Sequence, residues 1–254
     1  MTGWWLNTNR LTNMNQDQLP SPITVRLNKY LADRGLASRR EVDAKIARGL
    51  VMVDGMIAVL GQKVNGSERV LFDGQLVETV KPTPVYLLYN KPIGIICTSD
   101  SKAVDNIIEA IDYPERLFHV GRLDVASSGL ILMTNDGEIV NKILRSQGRH
   151  EKEYVVEVNH PVSDRDLHTL STGIKLEDGY TQPAQVARRT DSEFSIVLIE
   201  GRNRQIRRMC EALGYEVLRL RRVRIMQITD SALSVGQWRH LTPAEEKDLL
   251  TELG

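Results

Sequence analysis

The spacing of apolar residues in the first third of the chain predicts two short helices. Leu27, Tyr30 and Leu31 fall on one helical face. Ser38 starts the second helix, because Glu41 follows three residues later and the two side chains can form a capping box. Apolar residues then recur until a glycine ends the pattern. We therefore expect two helices joined by a tight turn.

Later segments combine both periodicities. Residues 152–158 alternate, with Tyr154 and Val156 on one face, which is typical of a strand. Residues 205–213 instead place apolar side chains three and four positions apart, which predicts an amphipathic helix with an arginine face. The regular alternation near Arg221-Arg222 breaks phase, which indicates a bulge or a strand end. Asp-Gly pairs, which are typical of hairpin turns, occur at residues 54–55, 73–74 and 178–179. The chain is therefore predicted to be mixed α and β.

The length and the proline pattern predict two domains. The chain has 254 residues, which corresponds to roughly 1.7 average domains. Prolines near residue 82 favour extended backbone and mark the best linker. We predict a flexible extension over residues 1–21, a small domain over 22–80, a linker over 81–84 and a larger domain over 85–254.

Charge changes this picture, because the neutral total conceals segregated blocks. Lys+Arg and Asp+Glu are both 33, which gives a formal net charge of +0. Residues 22–81 carry 10 basic and 7 acidic side chains, and residues 202–224 carry 8 and 2. All eight basic residues of the second segment are arginines, which suit bidentate contacts to phosphate or carboxylate.

Composition excludes several protein classes. A hydrophobic content of 41% with 26% charged residues is typical of a folded chain. The apolar runs fall far short of the ~20 residues that a membrane helix needs. The start of the chain lacks the features of a secretory signal. Cys97 and Cys210 are far apart with no CxxC, which favours a reducing compartment, so we expect a cytoplasmic protein.

The predicted helix pair carries a basic surface suited to phosphates rather than to base edges. Solvated helix faces are the alternative interpretation of such charge. The segment resembles the small RNA-binding domain named after ribosomal protein S-four, on Arg26-Leu27, Ser38-Arg39-Arg40-Glu41, Gly49 and Val51-Met52-Val53-Asp54-Gly55. That domain binds structured RNA by shape and backbone contacts. The RNA-binding candidates are Arg26, Lys29, Ser38, Arg39, Arg40, Lys45 and Arg48.

Four polar segments of the larger domain could carry chemistry, although each has an ordinary structural alternative. Asp124 could be a nucleophile or base, or it could cap a turn and pair with Arg122. Tyr154 could be a packed aromatic, and Arg207 could form a helical ion pair with Glu211. The segment around Lys91 is a weak signal by itself.

Taken together, the segments resemble the pseudouridine synthases of the RsuA and RluF type, bacterial enzymes that modify ribosomal RNA. The matching segments, in order, are Asn90-Lys91-Pro92-x-Gly94, Gly121-Arg122-Leu123-Asp124, Gly129-Leu130 with Asn135-Asp136-Gly137, Lys152-x-Tyr154 and Arg204-Gln205-Ile206-Arg207-Arg208-Met209. The resemblance spans about residues 85–243 and is nearest to the RluF branch. It implies an α+β fold: a small helix-pair and hairpin RNA-binding domain, then a catalytic domain with a central mixed, mainly antiparallel sheet flanked by helices.

The resemblance also implies site residues. Asp124 matches the indispensable catalytic aspartate, and a carboxylate beside RNA phosphates needs a cationic partner, which Arg207 matches. Tyr154 matches the aromatic that stacks on the target uracil. Arg122 matches the side chain that fills the gap left by the flipped base. We further assign substrate contacts to Lys91, Arg204, Arg208 and Leu220, although core packing is the alternative for Leu220.

The functional hypothesis is isomerisation of a uridine in large-subunit ribosomal RNA to pseudouridine, with a transfer RNA as a second candidate substrate. We expect no cofactor, no metal and no membrane partner, a structured RNA stem-loop as the partner, and a monomer. One alternative is a non-catalytic RNA-binding or ribosome-assembly factor, in which Asp124 is only a turn residue. Another is an Asp-dependent nucleic-acid hydrolase, which the lack of metal ligands or a second catalytic acid disfavours.

Overall fold

The computed structural model describes residues 24–78, 80–100, 103–145 and 150–254. The predicted extension over residues 1–21 lies outside these ranges. The chain divides into two compact units, the first ending at Lys81 and the second running over Pro82–Gly254. Within the described ranges, no helix is long and apolar enough to cross a membrane.

The first unit combines a helix pair with small sheets. Its elements are β1 (Val25–Arg26), α1 (Leu27–Ala32), α2 (Arg39–Ala47), β2 (Val51–Val53), β3 (Met56–Ile57), β4 (Lys63–Val64), β5 (Val70–Phe72) and β6 (Gln75–Leu76). Four strands form a sheet in the order β3-β2-β5-β6, and β1 pairs with β4. A separate core, which includes Leu27, Leu31, Val42, Ile46 and Val51, joins the helices to the strands. Burial of this apolar surface is the main force that holds the small unit together.

The local predictions for this unit are confirmed. Ser38 caps α2 in a complete capping box, since its Oγ accepts from the Glu41 N–H and its own N–H donates to the Glu41 carboxylate. Asp54 and Asp73 adopt positive φ with the glycines that follow them, and each pair closes a two-residue hairpin. The turn predicted at Asp178-Gly179, in the second unit, is displaced by one residue, because Glu177 and Asp178 form the hairpin loop there.

The second unit is built on one large sheet. The strands of this unit are β7 (Tyr86–Lys91), β8 (Phe118–Val120), β9 (Ser128–Thr134), β10 (Lys152–Val158), β11 (Lys175–Leu176), β12 (Gly179–Tyr180), β13 (Gln185–Arg188), β14 (Glu193–Leu198), β15 (Val217–Ile225), β16 (Ile228–Thr229) and β17 (Trp238–His240). Of these, β11 and β12 pair only with each other, as a separate hairpin. The helices of this unit are α3 (Ile107–Ile111), α4 (Gly137–Arg145), α5 (Asp164–Thr172), α6 (Gln205–Ala212) and α7 (Pro243–Leu253).

The sheet confirms the predicted mixed, mainly antiparallel architecture. The strand order is β13-β14-β10-β15-β9-β7-β17, with β16 beside β15 and β8 beside β9. The pairing of β15 with β9 is parallel, and the other named pairs of this sheet are antiparallel. The phase break predicted near Arg222 is confirmed as a register shift in the pairing of β10 with β15. The parallel junction brings segments distant in sequence together at the centre of the sheet.

Apolar side chains cover both faces of this sheet. On β7, Leu88 packs into one cluster with Leu130, whereas Tyr89 packs into another with Ile131. A third cluster joins β10, β14 and β15 to α6 through Ile206, Met209 and Cys210. Because the central strands are covered on both sides, polar side chains at their ends must find partners or face a cleft.

Candidate active site

Asp124 lies on a loop that β8 and β9 position. Gly121 turns the chain out of β8 with a φ of +75°, and the Asp124 carbonyl accepts from the Ser127 N–H at 3.0 Å, which closes the loop before β9 begins. The half-buried Asp124 carboxylate makes no hydrogen bond to any described residue, and the alternative pairing with Arg122 is not formed. The backbone thus makes the turn and leaves the carboxylate available.

Arg207 ties this loop to the sheet from the arginine face of α6. Its Nη2 donates to the Ala126 carbonyl at 2.9 Å, and its Nη1 donates to the Val217 carbonyl at 3.1 Å. The alternative helical ion pair with Glu211 is absent among the ion pairs of the described residues. Burial lowers the pKa of Arg207, and the charge of Asp124 raises it. The guanidinium is therefore both a clamp on the Asp124 loop and a cation near its carboxylate.

Tyr154 stands on β10 between two apolar clusters. Its half-buried ring packs against the cluster around α6 and also against the cluster that contains Leu123. Its cross-strand neighbours are Ile196 and Arg222. This packing fits the structural alternative for the ring, and the same packing sets its orientation beside the loop.

Lys91 lies under the loop and not on its surface. It is completely buried at the end of β7, and its Nζ donates to the Pro92 and Ile95 carbonyls, both at 2.8 Å. Burial lowers the pKa of Lys91, while the charge of Asp124 raises it. The expectation of a direct substrate contact does not fit this burial, so we correct it: the ammonium is held by backbone carbonyls inside the protein.

Arg222 is a buried residue near this site that sequence reasoning did not select. It is 3% exposed, its Nε donates to the Leu130 carbonyl at 2.6 Å, and its Nη2 has no hydrogen-bond partner. Gly129 permits this placement, because a Cβ there would lie 2.2 Å from the Arg222 carbonyl oxygen. The phase break in the sequence was the one available signal, but it marked a bulge and not a buried cation.

Lys152 completes the basic side chains near Tyr154. Its Nζ donates to the His150 carbonyl at 2.9 Å. Burial, and then the charge of Arg222, lower the pKa of Lys152 to about 8. Among the described residues no group of three His, Cys, Asp or Glu side chains is arranged to hold a metal ion.

Comparison with known proteins identifies the family of this chain. The profile of the RNA pseudouridylate synthase family matches residues 85–212. The chain is 42% identical over 227 residues to the dual-specificity RNA pseudouridine synthase RluF of Escherichia coli strain K12, which covers 89% of this chain and 78% of the relative. The chain belongs to the RNA pseudouridylate synthase family. It is thus an isomerase, and the resemblance seen in its motifs is confirmed.

Further relatives agree with this family. Ribosomal large subunit pseudouridine synthase B of Bacillus subtilis strain 168 is 39% identical over 235 residues, covering 88% of this chain and 95% of the relative. A crystal structure of a pseudouridylate synthase, at 31% identity, superposes with a TM-score of 0.65 over 89% of this chain and 99% of that one. That structural match accords with the α+β fold described above.

The remaining assigned residues of the synthase unit divide into exposed and engaged groups. Arg122 and Arg204 are exposed, with no partner for either guanidinium among the described residues, and the charge of Arg204 lowers the pKa of Arg207. Arg208 instead forms a bidentate pair with Asp178, at 2.9 and 3.0 Å, which engages its guanidinium within the protein. Leu220 is buried in the α6 cluster, as the core-packing alternative describes.

The basic residues of the synthase's first unit also differ in their surroundings. Lys29 and Lys45 are paired with Asp33 and Asp73, so their charges are partly neutralised within the unit. The four arginines assigned to RNA binding are exposed and have no carboxylate partner among the residues that the structure describes: Arg26, Arg39, Arg40 and Arg48. Unpaired surface guanidinium groups are the ones free to displace counterions from a phosphate backbone.

Proposed function

We propose that this enzyme isomerises a uridine of large-subunit ribosomal RNA to pseudouridine, with Asp124 as its essential carboxylate. A transfer RNA is the second candidate substrate. The names of the relatives support these substrates: one relative is a ribosomal large subunit pseudouridine synthase, and another is a dual-specificity RNA pseudouridine synthase. The first unit serves as an S-four-like module that grips a structured stem-loop. The enzyme acts as a monomer in the cytoplasm.

One observation carries the assignment of Asp124. Its carboxylate is half-buried and forms no hydrogen bond with the described residues, yet its charge acts on both Arg207 and Lys91. A turn residue in a binding protein would satisfy the carboxylate locally, as Asp54 does with the Arg69 N–H. An unsatisfied carboxylate next to fixed cations is instead suited to react with an incoming group.

The reaction needs one carboxylate, and it needs the target uracil to be held outside the RNA stack. The C1′–N1 bond breaks, the ring turns, C5 bonds to C1′, the C5 proton leaves and N1 gains a proton. No atom is gained or lost overall. Asp124 assists the first step by attacking the ribose, attacking the ring or taking a ribose proton. The flipped uracil stacks on Tyr154, and Arg122 fills the gap in the RNA. Arg207 holds the loop and its carboxylate in place.

The test is to map pseudouridines in ribosomal and transfer RNA from cells with and without the gene, and then with Asp124→Asn. We expect pseudouridine at one large-subunit site to be absent both from cells without the gene and from cells with Asp124→Asn. The purified Asp124→Asn variant should lose activity by on the order of 10⁴-fold or more while it still binds RNA. Asp191→Asn is the matched control, because Asp191 is exposed and its carboxylate has no partner among the described residues. Normal isomerisation by the Asp124 variant would overturn the assignment.

A further inference from the structure

Three basic side chains form a cation cluster beside the site: Lys91 and Arg222, which are buried, and Lys152, which is half-buried. Strand register places them on one patch of the sheet. Lys91 is opposite Gly129, Gly129 is opposite Arg222, and Arg222 is opposite Tyr154. Lys152 precedes Tyr154 by two residues on β10 and so shares its side of the strand. Because Gly129 has no side chain, nothing on β9 separates Lys91 from Arg222.

The charges of this cluster influence one another. Arg222 lowers the pKa of both lysines through its charge, in addition to the larger effect of burial. Asp124 is the one carboxylate of the described residues whose charge acts on either lysine. The nearby Glu151 and Glu153 are engaged by Arg224, at 3.0 Å each. The cluster therefore has more positive than negative charge inside the protein.

An excess of positive charge is costly to bury, so we expect the cluster to have a function that offsets this cost. The Arg222 Nη2 adds to the cost, since it is buried without a hydrogen-bond partner. No part of the proposed function so far requires Lys152 or Arg222. Both lie beside Tyr154, on which the target uracil is proposed to stack.

We propose that this cation cluster stabilises the negative charge that develops on the uracil ring when its bond to ribose breaks. This inference rests on the proposed function. When C1′–N1 breaks, the electron pair goes to N1 and spreads over O2 and O4, and it later forms the C5–C1′ bond. Attack of Asp124 on the ring would also put negative charge on O4. A fixed cation field lowers the barrier in each case, because it needs no rearrangement as the charge appears. Arg222 and Lys91 act through this field as positioning residues, since neither is exposed enough to touch RNA.

The test varies the intrinsic stability of the departing base. A stem-loop carrying the mapped target is prepared with uridine or with 4-thiouridine at that one position, each tritiated at C5, and tritium release is followed. 4-Thiouracil is the more acidic base, because sulfur holds negative charge better than oxygen does. We expect Arg222→Gln to lower kcat for uridine by on the order of 10²-fold with KM unchanged. The loss for 4-thiouridine should be at least several-fold smaller. Lys152→Gln should show the same differential, and Arg222→Lys should recover much of the rate because it keeps the charge.

Arg224→Gln is the matched control, because it removes a cation from the same strand that already has two carboxylate partners. It should slow both substrates by the same factor or leave both unchanged. Thermal unfolding of each variant checks that the fold is retained, and Arg222→Lys keeps the test decisive if Arg222→Gln does not fold. Equal losses for the two substrates with Arg222→Gln and Lys152→Gln, or no advantage of Arg222→Lys, would overturn the inference. Activity of Asp124→Asn in the same assay would instead show that the proposed function fails.

Discussion

Gly129→Ala is expected to destabilise the second unit severely. Gly129 lies on β9, between β7 and β15 at the centre of the sheet, and has a φ of +109°. A Cβ at this position would lie 2.2 Å from the Arg222 carbonyl oxygen and 2.6 Å from the Arg222 nitrogen. Both atoms belong to the backbone, so the added methyl group cannot be accommodated by a change of rotamer.

The expected cost can be built from two contributions. Holding alanine at this φ costs about 1–2 kcal/mol. Relieving the contact requires β9 and β15 to separate by about 1 Å, which weakens their short parallel junction and the Arg222 bond to the Leu130 carbonyl, at about 1 kcal/mol for each hydrogen bond lost. The sum is about 3–5 kcal/mol, a large part of a typical domain stability.

Labelling of cysteine thiols during urea unfolding reports on the second structural unit alone, because both cysteines of the chain lie in that unit. Cys97 and Cys210 are both buried in the second unit, and burial raises the pKa of Cys210 to about 12, so the folded unit protects them. Gly214→Ala measures the cost of the positive φ alone, since Gly214 has a φ of +86° and no atom close to an added Cβ. Gly201→Ala is the reference variant, because Gly201 has neither a positive φ nor a close neighbour. If Gly129→Ala unfolds within about 1 kcal/mol of Gly214→Ala, the argument from close approach is wrong.

Two further predictions concern charge. Replacing Arg39 and Arg40 together with Glu should weaken RNA binding and lower the salt dependence, with the slope of log K against log salt reduced by about 2. Acidic residues suit the first turn of a helix, so the unit should stay folded, and an unchanged salt titration would refute the role in RNA binding. Hydrogen bonds from Arg239 hold the pKa of Glu245 down at about 2. Because the folded pKa is depressed, this stabilisation is present above the unfolded value near 4.5 and is lost as pH falls towards 2. Glu245→Gln should therefore lower the urea midpoint at pH 7 but not at pH 2, and an equal loss at both values would contradict the linkage.

Local sequence signals predicted much of this fold correctly. The capping box at Ser38, the hairpin turns at Asp54 and Asp73, and the apolar stripe of α6 depend on residues within a few positions of one another. Such features reflect backbone preference and side-chain periodicity, which the chain itself displays. The motif resemblance then indicated the family, because its segments occur in the expected order.

The assigned site residues were harder to place, because their surroundings come from other strands. Arg207 was expected to be either a partner of Asp124 or half of a helical ion pair, and only the position of the Ala126 and Val217 carbonyls decided that it clamps the loop. Arg208 shares the same helix and charge, yet its guanidinium pairs with Asp178, which lies 30 residues away in sequence. Sequence spacing describes which way a side chain points, but not what it meets there.

By itself, the sequence determined the periodic elements, the segregated blocks of charge and the ordered family segments, since all of these are properties of neighbouring residues. The tertiary structure decided that Lys91 is buried beneath Asp124, and that Arg222 crosses from β15 to the Leu130 carbonyl beside it. The reason is the sheet register: β7, β9, β15 and β10 come from four separate parts of the chain, and their pairing alone brings Lys91, Gly129, Arg222 and Tyr154 into one row.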